Sequence, residues 1–159
     1  MRMPAKALIL LAMTSSAVSA GALLDKTDRF TGTRYVAWNS IPENDREFGL
    51  STSAFYPKDA SSPTSYSFTL TTYSSAGEYS ECHHTAWLID GQRSTEMEGK
   101  YERSADSRVV IERFTTKATR DLLTKVAAAK LVEFKVCGTE GVVSASDLNG
   151  VRQVLKVTK

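Results

Sequence analysis

The sequence predicts an α+β fold, a mostly antiparallel β-sheet covered on one face by two C-terminal amphipathic helices. Three observations lead there. Period-two apolar segments crowd the first two thirds of the chain, helical periodicity appears only after residue 116, and residues 108–137 read strand, helix, strand. Strands gathered first and helices late are the order of an α+β domain, not of alternating βα units.

Residues 1–20 stand apart. Arg2 and Lys6 precede an apolar run at residues 7–13, and the small residues Val18, Ser19 and Ala20 follow, the three parts of a secretory signal peptide cleaved after Ala20. The run is too short to span a bilayer, and no later stretch is long and apolar enough for a membrane helix. Residues 21–159 are then expected to fold as a single domain, periplasmic or secreted.

Within that domain, residues 21–32 read as a lead-in ending in a turn at Gly32. Residues 33–38 alternate Tyr35 and Ala37 with Val36 and Trp38, a first strand; residues 48–56 are a second, with Leu50, Thr52, Ala54 and Tyr56 on one face. Serine and threonine make up 13 of residues 51–75, a bias that suggests a stalk. The alternation of Tyr66, Phe68, Leu70 and Thr72 makes this stretch a strand instead, its hydroxyls on a wet face. Another strand at 83–89 runs into Asp90-Gly91, a strong hairpin signal, and returns through 92–100 as a charged edge carrying Glu96, Glu98 and Lys100. Residues 101–107 are a polar link.

The stretch from 108 to 137 carries the clearest local signals. Val109, Val110, Ile111 and Phe114 suit a strand that stops at two threonines, where Thr116 caps a helix over 117–130 with Ala118, Leu122, Val126 and Ala129 as its stripe. Val132, Phe134 and Val136 alternate with Glu133 and Lys135 in the next strand. A helix between strands also permits parallel pairing of 109–114 with 131–136. Gly138 and Gly141 bracket a turn, Val142-Val143 is a short strand, and Ser144 with Asp147 fits a capping-box variant opening a second helix on Leu148, Val151, Val154 and Leu155. Asn149 and Gly150 weaken that helix.

The formal charge of +2 comes from Arg2 and Lys6, so residues 21–159 hold 18 basic and 18 acidic side chains. That balance gives no indication of nucleic-acid binding. The two cysteines, Cys82 and Cys137, are expected to pair in an exported protein, a closure contributing about 4 kcal/mol in the chain-entropy model.

Chemistry is sparse. Cys82-His83-His84 brings thiolate and imidazole ligands together, which suits copper or zinc, but on a strand His83 and His84 project to opposite faces and Cys82 is the partner of Cys137. Either histidine could act as a base toward one of many serines with Glu78 or Glu81 behind it, without a nucleophile elbow to single one out. Glu96 and Glu98 would share a strand face, as a charged edge does. Among the aromatics, Tyr73 and Tyr79, flanking 74–78, are the candidates for a binding surface. No motif implies a cofactor.

At residues 28–38 (DRFTGTRYVAW) and 114–138 (FTTKATRDLLTKVAAAKLVEFKVCG) the chain resembles small exported bacterial proteins of unknown function, with a β-rich front half and a C-terminal strand-helix-strand-helix. The resemblance implies a periplasmic setting and transfers no catalytic residue. The resulting expectation is a non-catalytic binding module with a protein or cell-envelope partner. A small hydrolase or metal-binding protein using His83 and His84, and a structural envelope component, remain the alternatives.

Overall fold

A computed structural model describes residues 21–158 apart from Glu96, Glu98 and Ser107. The signal-peptide reading and the Glu96/Glu98 pair lie outside the described residues. The chain is mostly antiparallel β-structure with two helices, the second at its C-terminal end.

Strands β1 (Ala22–Thr27), β2 (Arg34–Asn39), β3 (Phe48–Tyr56) and β4 (Ser65–Ser74) form a meander. The chain then leaves for β5 (Thr85–Ile89) and β6 (Gln92–Ser94) and returns as β7 (Lys100–Ala105) and β8 (Val110–Ala118), so that the large sheet runs β1-β2-β3-β4-β8-β7. Helix α1 (Arg120–Ala128), β9 (Val132–Val136), β10 (Thr139–Val142) and α2 (Ala145–Val157) complete it, and a second sheet runs β10-β9-β5-β6. All pairings are antiparallel.

The inner faces follow the alternation. Leu50, Thr52, Ala54 and Tyr56 of β3 and Tyr66, Phe68, Leu70 and Thr72 of β4 are all buried, as are Trp87, Ile89, Val132, Phe134 and Val136 of the small sheet. Phe48 meets Phe134 edge-on at 5.2 Å between ring centroids, joining the two sheets. Helix α2 is seated by its own sequence: Gly150 lies on the Trp38 ring, where a Cβ would come within 2.1 Å of Trp38 Cγ. Asp147 Oδ1 accepts from Trp38 Nε1 at 3.0 Å and Oδ2 from the Leu50 amide at 3.1 Å. Helix α1 lies beside α2, where Arg152 Nε donates to the Ala127 carbonyl at 2.8 Å.

Several expectations are corrected. The lead-in contains β1, an edge strand exposed along its length, and the link at 101–107 is largely β7. The return strand ends at Ser94 because Met97 turns into the core and its carbonyl takes the Thr85 and Thr116 hydroxyls. Thr116 therefore caps nothing: β8 runs on to Ala118 and Thr119 caps α1, its Oγ1 accepting from Leu122 N at 3.1 Å. β8 and β9 belong to different sheets, which removes the parallel pairing. The last turn is at Cys137-Gly138, and Gly141 sits inside β10. Ser144 caps α2, but Asp147 turns inward to Trp38 and Leu50.

Candidate functional site

Cys82 and Cys137 are bonded, with Cα atoms 6.0 Å apart, tying the β4–β5 loop to the β9–β10 hairpin. His83 and His84 precede β5 and do not alternate across it. A carboxylate anchors this loop from within. Glu112 of β8 is fully buried, and it accepts from the Glu78 amide at 2.8 Å, the Tyr79 amide at 2.9 Å and the Tyr101 hydroxyl at 2.8 Å. Burial, together with that hydrogen bond and the Glu112 charge, pushes the Tyr101 phenol up to about 12. The His83 ring lies flat on Tyr101, 3.9 Å between centroids, with Nε2 3.0 Å from the Ser80 carbonyl. Such bonds satisfy a buried acid and fix a loop.

Among the described residues no group of three His, Cys, Asp or Glu side chains could hold a metal. The expected surface pair separates. Tyr79 is buried, its hydroxyl donating to Thr139 Oγ1 at 3.0 Å, whereas Tyr73 is half-buried near the C-terminal end of β4, an interior strand of the large sheet.

A second locus was not legible. On the solvent face of the small sheet, Val142, Glu133, Leu88 and Arg93 form one row across the four strands, and Glu140, Lys135 and Ala86 form the next. They line a groove of about 450 Å³. Lys135 Nζ binds Glu140 Oε1 at 2.9 Å and holds that carboxyl below the usual carboxylate range. Leu88 and Val142 stay exposed, at 38% and 59%. On the side of β10 facing the large sheet, Arg46, Glu47, Phe48, Phe134 and Thr139 line a crevice of about 360 Å³. Both spaces are bounded by Glu140, Gly141 and Val142. The signal lay in Trp87-Leu88-Ile89: three apolar residues in a row on a strand put the middle one on the opposite face from its neighbours.

Compared with protein-family models, curated proteins and solved structures, the chain matches none of them.

Proposed function

We propose that this chain is an exported, non-catalytic binding module of the bacterial periplasm or envelope, engaging a protein partner through the small sheet around β10. The observation that supports this is an edge strand with a groove on each side and exposed Leu88 and Val142. Exposed apolar surface rimmed by charge is the ordinary composition of a recognition face. In this reading residues 1–20 direct export and are removed, the two helices close one face of the large sheet, and the disulfide suits an oxidising compartment.

The test is capture from native envelope fractions by the purified, oxidised protein, in parallel with a Leu88→Lys, Val142→Lys variant. A near-stoichiometric partner lost with the variant supports the module. Capture indifferent to the two substitutions, or turnover abolished by a single substitution, overturns it.

A hydrolase or metal role for His83 and His84 is the second reading, favoured by the exposed His83 ring held against Tyr101. Replacing both histidines by alanine must then remove an activity or bound metal; unchanged behaviour ends that reading.

A further inference from the structure

We infer that β10 takes an extended segment of a partner protein as an added strand. The inference deepens the binding-module reading and rests on it.

Its geometry is in the hydrogen-bond phase of the hairpin. Thr139 and Gly141 face Val136 and Phe134, and Val143 N donates to the Val132 carbonyl at 2.8 Å, so the odd-numbered residues spend their backbone groups on β9. Glu140 and Val142 turn theirs the other way, to an edge on which no described strand pairs. A strand laid there is offered donors and acceptors with the spacing of a ladder.

The two spaces beside β10 supply the specificity. Successive side chains of an added strand point to opposite faces, and here one face opens on the groove of Leu88 and Glu133 and the other on the crevice of Phe48 and Phe134. Gly141 is central to this. A Cβ there would lie 2.3 Å from Phe134 Cζ, so the ring rests on the glycine and remains available to a side chain opposite it. The segment that fits is uncharged in its middle, with a large apolar residue facing Gly141 and the Phe48 and Phe134 rings of a crevice that Arg46 and Glu47 also line, and β-branched polar residues over Val142 on the other face. Proline is excluded, because it would remove a ladder donor. The other edge strands are less suited: β6 is only three residues long, and β1 carries Asp25 and Lys26 and β7 carries Lys100, Glu102 and Arg103, against Glu140 alone on β10, and charges guard such edges.

The probe is a capped peptide, KTVTFTVTK, against the same peptide N-methylated at alternate backbone positions, each titrated into the purified protein. The unmodified peptide is expected to bind at least about tenfold more tightly, the value of roughly one hydrogen bond, and to slow exchange of the Glu140 and Val142 amides by a similar factor. Val142→Pro removes an amide that β9 does not use, and is expected to abolish both effects with little change in melting temperature. Equal binding of the two peptides, protection at the β1 amides instead, or no binding at all overturns the added strand. The Leu88- and Val142-dependent capture of a globular partner is a separate readout, so the module itself can stand or fall independently. Should Val142→Pro fail to fold, the N-methylated peptide and the exchange pattern still decide the matter.

Discussion

At the scale of single residues, two buried carboxylates organise the protein, and neither stands next in sequence to what it holds. Asp147 satisfies an indole and a backbone amide on two strands of the large sheet. Asp147→Ala leaves both donors buried and unpaired, and is expected to cost about 2–4 kcal/mol in denaturant unfolding; Asp147→Asn, keeping one acceptor oxygen, costs less. Glu112 holds the loop of Cys82 and accepts a hydrogen bond from the Tyr101 hydroxyl. The Tyr101 phenol is raised to about 12, against about 10 for an unperturbed tyrosine. The folded state therefore keeps a proton that the unfolded state gives up. Stability is full below about pH 10 and falls as pH rises through 12. Tyr101→Phe is expected to flatten that alkaline decline and to remove a late-titrating tyrosine from the absorbance at 295 nm, while Tyr56, whose phenol burial also raises, still titrates above its ordinary value.

Elements respond to their neighbours more than to their own propensities. Gly150 in α2 is the clearest case, because helix propensity alone assigns Gly→Ala a gain of about 0.5–1 kcal/mol. Trp38 occupies the space that the alanine methyl needs. Gly150→Ala is therefore expected to lower the unfolding midpoint, and a rise would show that the Trp38 contact is dispensable. The cap of α1 gives a matched pair: Thr119→Ala should cost about 1 kcal/mol through the lost Leu122 bond. Thr116→Ala acts instead on the Met97 carbonyl, and helix fraying measured by amide exchange separates the two.

Across the whole molecule, the disulfide closes a separation of 55 residues and staples the loop leaving the large sheet to a hairpin of the small one. Replacing both cysteines by alanine is expected to remove about 2–4 kcal/mol, with the unfolding transition still cooperative because the apolar core between the sheets does not depend on the bond. The same closure sets the β9–β10 hairpin, so loss of the bond should also weaken any ligand held along β10.

What could be read from the sequence was whatever nearest neighbours impose. The bounds of β3, the inward face of β4 and the turn at Asp90-Gly91, where both residues take positive φ, follow from alternation and local sterics. The cysteine pair followed from there being only two. Tertiary structure decided the rest. Whether residues 22–27 and 100–105 become strands depends on partners that pair with them, since their own side chains are polar or exposed and carry little periodic signal. The division into two sheets, the inward turn of Asp147 and Glu112, and the open edge at β10 are all choices among long-range partners, and a one-dimensional pattern records which face a residue prefers but not what it will face.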